Sequence, residues 1–221
     1  MTLLSVAIAF ISLTSCDDDD AKPKATYVLV HGAWQAPYVW ETVSADLQAE
    51  GHTVVLVELP GHGSDKTPTY TLSLDAYRDK VIEAINKIDG QVILVGHSMG
   101  GMVVTHVAEK IPTKISRLVY IGAFVPTSGQ TLGDLSNSDP GSQLGPNLTL
   151  SDDHLTLDVA RDKLTYLFIN DGTQADKDKV LSNYRAEPSI PFGDKVTPRR
   201  SERLMKGKRT LSRQKITITL S

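Results

Sequence analysis

The feature that most constrains this 221-residue chain is a turn. Val92-Ile93-Leu94-Val95 reads as a buried strand, and Met102, Val103, Val104 and Val107 read as the apolar face of a helix. Only Gly96-His97-Ser98-Met99-Gly100-Gly101 stands between them. A chain that passes from strand to helix so quickly must turn sharply, and small residues on both sides of the serine leave room for that. Gly-x-Ser-x-Gly by itself is a common pattern. In a strand–turn–helix setting it predicts an accessible serine hydroxyl at a helix N-terminus, where backbone N–H groups favour developing negative charge. Ser98 is therefore the expected nucleophile, with Gly96, His97 and Gly100 forming its turn.

Blocks on either side repeat the same alternation. Strand-like runs fall at 27–31, 53–59, 91–96 and 116–122, and helix-like runs at 39–50, 74–88 and 99–110. Strands alternating with helices of this length predict parallel βαβ units, hence an α/β fold with a sheet covered on both faces. Residues 126–191 break the rhythm. They are rich in Ser, Asp, Gly and Asn, with short helical stretches expected at 155–166 and 174–184. An excursion of this length between strands predicts a small helical cap at about 127–191, since a long structureless loop is uncommon.

A serine that attacks an acyl carbon needs two convergent donors for the oxyanion. The backbone N–H of Met99, the residue after the nucleophile, is one candidate. The loop after the first strand, His31-Gly32-Ala33-Trp34, offers the other in the N–H of Ala33. His31 itself is expected to brace that loop rather than to act on substrate.

Four segments taken together resemble a known family: Val28-Leu29-Val30-His31-Gly32-Ala33-Trp34, Leu59-Pro60-Gly61-His62-Gly63, Val95-Gly96-His97-Ser98-Met99-Gly100-Gly101-Met102 and Tyr120-Ile121-Gly122-Ala123-Phe124-Val125-Pro126. They are similar to the esterase branch of the α/β-hydrolase superfamily, nearest to the methylesterase and hydroxynitrile-lyase group and its bacterial relatives, over residues 26–197. The resemblance implies a parallel-sheet α/β-hydrolase fold with a small helical cap. It also implies a Ser-His-Asp mechanism on small carboxylic esters, with no cofactor. The lyases of that group usually carry threonine where this chain has Gly32, which favours the esterase side.

The pattern is incomplete downstream. In this fold the acid and then the histidine follow the serine in the chain. Only His106 and His154 follow Ser98. His106 is eight residues further along the same helix, about 12 Å of rise away, and His154 falls in the expected cap. Composition breaks as well: residues 1–194 carry 14 Lys and Arg against 25 Asp and Glu, whereas residues 195–221 carry 9 against 1. From residue 198 the resemblance stops, and the family's last strands, acid, histidine and final helix are not legible. A shifted reading frame or early stop, a divergent C-terminus, and a purposeful basic arm are the alternatives for residues 198–221. Three functions stay open: a serine esterase working through Ser98, impaired if acid and histidine are missing; a non-catalytic pseudo-hydrolase that binds small acyl compounds; and a hydroxynitrile-lyase-like enzyme.

At the other end, residues 1–13 are mostly apolar and lead into Leu13-Thr14-Ser15-Cys16. The run is too short for a spanning helix and has the length of a signal-peptide core. Its ending resembles a bacterial lipobox, so residues 1–16 are expected to be a lipoprotein signal with Cys16 the lipidated residue. Residues 17–25 would be an acidic tether, and the protein would sit on a bacterial envelope membrane through the lipid. A formal net charge of −3 argues against a nucleic-acid partner, and no His/Asp/Glu cluster has metal-ligand spacing.

Overall fold

The computed structural model describes residues 24–197. Residues 1–23, with Cys16 and most of the acidic tether, and the basic tail from residue 198 lie outside the described residues.

Four parallel strands form the central sheet: β1 (Thr26–Val30), β2 (Thr53–Val57), β3 (Val92–His97) and β4 (Ile115–Ile121), in the order β2-β1-β3-β4. β-Branched residues dominate these runs, as suits a pleated surface packed on both faces. Their side chains divide by parity, except where a register shift against β3 puts Ile115 on the same side as Leu118 and Tyr120. Val28, Val30, Val92 and Leu94 join the larger core with α2 (Leu74–Asn86) and α3 (Gly100–Lys110), where Tyr77, Val81, Ile85, Met102 and Val107 are buried. Leu29 and Val95 point the other way, toward Trp40 and Val43 of the segment that leads into and forms α1 (Glu41–Ala49). The four strands stand at the expected places to within two residues at each end. The expected helix at 39–50 is instead a 3-10 turn at Pro37–Trp40 followed by α1. Proline at the start of that turn has no N–H to leave unpaired.

After β4 the chain makes the predicted excursion. Short elements β5 (Gln130–Thr131) and α4 (Leu132–Asn137) come first. A three-stranded sheet of β6 (Leu148–Leu150), β7 (Thr156–Val159) and β8 (Glu187–Pro188) then encloses α5 (Leu164–Ile169) and α6 (Gln174–Asn183) in the chain order. Last come α7 (Ile190–Gly193) and β9 (Lys195–Val196), which pairs back with β5. Helix α6 matches the expected helical stretch at 174–184. The stretch expected at 155–166 does not form as one helix: Thr156–Val159 is strand β7, paired antiparallel with both β6 and β8, and helix begins only at Leu164. Two strand partners outweigh the local helical spacing there.

The excursion is fastened to the core at the N-terminus of α2. Ser73 caps that helix by accepting from Ala76 N–H at 3.1 Å, and the Asp194 carboxylate accepts from Leu74 N–H at 2.7 Å. Two of the orphan donors of α2 are thus satisfied, one of them by a residue 120 positions away.

Leu94 lies in a strand with a neighbour on each side, and its side chain is fully buried. Leu94→Ala is expected to cost about 2–5 kcal/mol, read as a lower denaturant midpoint at unchanged slope.

Candidate active site

The turn between β3 and α3 is as tight as the sequence requires. Ser98 has φ of 52°, a left-handed conformation that non-glycine residues seldom adopt. Its carbonyl accepts from both Gly101 N–H and Phe124 N–H at 3.0 Å, so the strained residue is held by its own helix and by the segment after β4. A side chain at position 96 would meet the Gly100 carbonyl oxygen at 2.6 Å, and one at position 100 would meet the His31 carbonyl oxygen at 2.8 Å. These glycines let strand, turn and first loop pack in direct backbone contact.

The first loop lies against the serine. A Cβ on residue 32 would stand 2.8 Å from Ser98 Cβ, so only glycine fits there without movement. The structure thereby brings Ser98 and Met99 next to Gly32-Ala33. Among the described residues, neither Ala33 N–H nor Met99 N–H has a hydrogen-bond partner. His97 packs its ring edge-on against Trp40, and burial holds its pKa below the ordinary histidine value.

Beside His97 opens a cavity of about 350 Å³ between Trp40, the end of β4, and helices α5 and α6. Tyr38, Ile121, Phe168 and Val180 contribute to its walls. Its size suits a small organic ligand.

The histidines near the site are committed elsewhere. His31 is fully buried, donates from Nδ1 to the Gly32 carbonyl at 2.9 Å and accepts Leu59 N–H at Nε2 at 3.2 Å. It braces the loop, as the sequence suggests. Burial first, and then the neighbouring His62, push its pKa down to about 3. His106 sits on α3 against Arg78 and Asp75, and His154 is exposed on the turn between β6 and β7. Among the described residues, no histidine hydrogen-bonds the Ser98 hydroxyl.

Two residues at the site have no motif of their own to announce them. Glu187, on β8, is completely buried. Its Oε2 accepts Trp34 N–H at 2.7 Å and His62 Nε2–H at 2.8 Å, while Tyr77 O–H approaches Oε1 at 3.5 Å. His62 also donates from Nδ1 to the Pro60 carbonyl at 3.0 Å. With an acceptor on each ring nitrogen, the ring is an imidazolium paired with a carboxylate. Burial works against that charge, but Glu187 and the Pro60 carbonyl more than reverse the effect, so the His62 pKa is raised. Glu187 escapes sequence reading because its partners are 125 and 153 residues away. His62 was legible only as part of Leu59-Pro60-Gly61-His62-Gly63.

This assembly of a parallel sheet, a strained serine turn and an apposed loop defines a hydrolase architecture. The sequence profile of the Alpha/beta hydrolase family matches residues 27–210, and the chain belongs to that family. It is similar to a carbendazim hydrolyzing esterase of Nocardioides sp. (strain SG-4G), 40% identical over 110 residues that cover 49% of this chain and 46% of that protein. Methylesterase 1 of Arabidopsis thaliana is 36% identical over 111 residues, 48% of this chain and 42% of that protein. Both matches span less than half of the relative's length. Among solved structures, an extracellular alpha/beta-hydrolase from a Paenibacillus species superposes with a TM-score of 0.65 at 28% identity, over 79% of this chain and 72% of that one.

The two buried histidines set opposite limbs of a stability profile. Between about 3 and the ordinary 6.5, the unfolded chain protonates His31 while the folded chain does not, so stability falls as acid is added. Above 6.5 the folded chain keeps a proton on His62 that the unfolded chain has lost, so stability falls as pH rises through the raised value. Melting temperature against pH is expected to peak near the ordinary histidine value. His62→Gln should flatten the alkaline limb and cost about 3–5 kcal/mol, because it leaves Glu187 with an unpaired buried charge.

Proposed function

We propose that this chain is built for acyl transfer from small carboxylic esters, with Ser98 as the nucleophile. The observation that carries the reading is the left-handed Ser98 turn packed against Gly32, with the N–H groups of Ala33 and Met99 both unpartnered beside it. Attack by the hydroxyl oxygen on the ester carbonyl would place the new oxyanion where these two donors and the N-terminus of α3 stabilise it. Collapse would expel the alcohol and leave an acyl-Ser98 ester for water to cleave. Esterases of the same family, similar at the level reported above, support the substrate class. Gly32, pressed against Ser98, favours ester hydrolysis over the lyase chemistry for which that position usually holds threonine.

The same residues supply a nucleophile and an oxyanion hole without a base. Ester turnover that relies on residues 24–197 alone is therefore expected at the residual level of oxyanion-hole enzymes that lack a triad, about 10³–10⁴-fold over water. A fluorophosphonate probe should label Ser98 slowly, and Ser98→Ala should abolish the labelling. If the wild-type chain is labelled no more than Ser98→Ala, a non-catalytic binding role replaces the enzymatic one.

We also propose that Cys16 carries a lipid that holds the protein on a bacterial envelope membrane. The support is the apolar run that ends at Leu13-Thr14-Ser15-Cys16. No helix among the described residues is long and apolar enough to cross a membrane. Cys16→Ser is expected to move the protein from the membrane to the soluble fraction of an expressing bacterium and to stop incorporation of labelled palmitate. Unchanged fractionation would refute the anchor.

A further inference from the structure

We infer that Glu187 is a positioning residue for the oxyanion hole: from inside the cap its carboxylate clamps Trp34 N–H and so fixes the loop that presents Ala33 N–H to Ser98. The inference rests on the acyl-transfer reading of Ser98, but the clamp itself can be tested without it.

Trp34 has φ of 59°, and bulky side chains rarely hold a left-handed backbone without external restraint. The restraint here comes almost entirely from the excursion after β4. Glu187 takes the backbone N–H of Trp34 at 2.7 Å, the Leu157 carbonyl of β7 takes its indole N–H at 2.9 Å, and Phe168 and Phe192 flank the ring at 6.0 and 5.9 Å. Ala33 lies between this anchored residue and Gly32, which touches Ser98. The N–H that faces substrate is therefore one residue from the N–H that Glu187 holds. Rotation of the Ala33–Trp34 peptide would break the Glu187 bond and re-aim the loop together.

The carboxylate is held in turn from the core side. His62 Nε2–H donates to the same oxygen at 2.8 Å, and the Pro60 carbonyl fixes the other ring nitrogen. Tyr77 O–H faces the second carboxylate oxygen. The His31 ring packs at a 58° tilt with its centroid 4.9 Å from that of His62, and it braces the opposite end of the loop through Gly32. A two-residue strand thus carries, among the described residues, the one buried carboxylate that reaches the substrate-facing loop. Arg185, two residues earlier, ties the same segment to the Gly63 and Asp65 carbonyls at 3.0 and 2.7 Å without touching Trp34. It supplies a control that loosens the cap at a different point.

The test compares full-length wild type, E187A, E187Q and R185A by fluorophosphonate inactivation, separating the maximal rate from the probe's half-saturation, and by amide exchange at Trp34. Loss of an oxyanion donor typically lowers rate by about 10²–10³-fold, and a mis-aimed donor should lose part of that. E187A is expected to lower the maximal rate about tenfold or more on that scale with little change in half-saturation, and to speed exchange at Trp34 above that of β1 and β3. E187Q keeps a carbonyl acceptor, shared between Trp34 N–H and His62, so both effects should be smaller. R185A should leave the maximal rate unchanged. A folded E187A with wild-type rate and wild-type exchange at Trp34 overturns the inference, as does an equal loss in E187A and R185A accompanied by faster exchange throughout. If wild type is labelled no more than Ser98→Ala, the acyl-transfer reading fails and exchange at Trp34 alone decides the clamp. If E187A does not fold, E187Q decides: exchange at Trp34 faster than in the neighbouring strands supports the clamp, and unchanged exchange overturns it.

Discussion

Glu187 sits where the excursion meets the core, and it is fully buried and far in sequence from the partners of its carboxylate. Burying a lone carboxylate is so unfavourable that such a group survives only with its lone pairs occupied. Trp34 N–H, His62 and Tyr77 occupy them here, each from a different segment of the core. The same oxygen accepts one backbone donor from the first loop and one ring donor from the loop after β2. Neither loop can shift without stripping a partner from a buried charge. The cap, the loop beside Ser98 and the segment around Pro60 consequently behave as one unit, held by this buried network together with the apolar packing of Leu132, Val159 and Leu164 into the core.

The second constraint is steric. Gly32, Gly96 and Gly100 let three backbone segments meet at separations that a single added carbon would forbid. That contact holds Ser98 in a left-handed conformation, and the two bonds to its carbonyl oppose relaxation. Strain at one residue, of order 1–3 kcal/mol, persists only where the surroundings over-determine it. The parity of the sheet supplies the surroundings: Val30 and Leu94 pack toward α2 and α3, so the ends of β1 and β3 arrive at the turn already fixed in height and register.

What was legible in the sequence follows from range. The turn at Ser98 and the four core strands are encoded within a few residues each, in apolar runs and in glycines at set positions. Strand β7 departs from the helix expected at 155–166 because the local helical spacing of Thr156–Val159 is weaker than its pairing. Its state is set by pairing on both sides, to Leu148–Leu150 and to Glu187–Pro188. Glu187 is one acid among many in a polar stretch. Only the fold brings it to Trp34 and His62, and one sequence carries no signal of a contact across 153 positions. His31 was the reverse case: a histidine directly after an apolar strand, next to glycine, has little to do but brace its loop.

The chemistry available to the described residues turns on proton bookkeeping at the imidazoles. A general base for Ser98 must have an unprotonated nitrogen with its lone pair free and facing the hydroxyl, and a pKa near the working pH. His62 fails because both its nitrogens already bear protons directed at Pro60 and Glu187. His31 fails because its one lone pair holds Leu59 N–H and its pKa of about 3 makes it too weak a base. His97 is next to Ser98 in sequence, yet it packs on Trp40 with a lowered pKa and makes no bond to the hydroxyl. Of these three imidazoles, the fold has used two to hold its loops and packed the third against a tryptophan. The arrangement separates two jobs that a hydrolase must perform. For the acyl-transfer reading proposed above, residues 24–197 supply the Ser98 turn and the N–H groups of Ala33 and Met99, whereas no histidine among them hydrogen-bonds the serine hydroxyl.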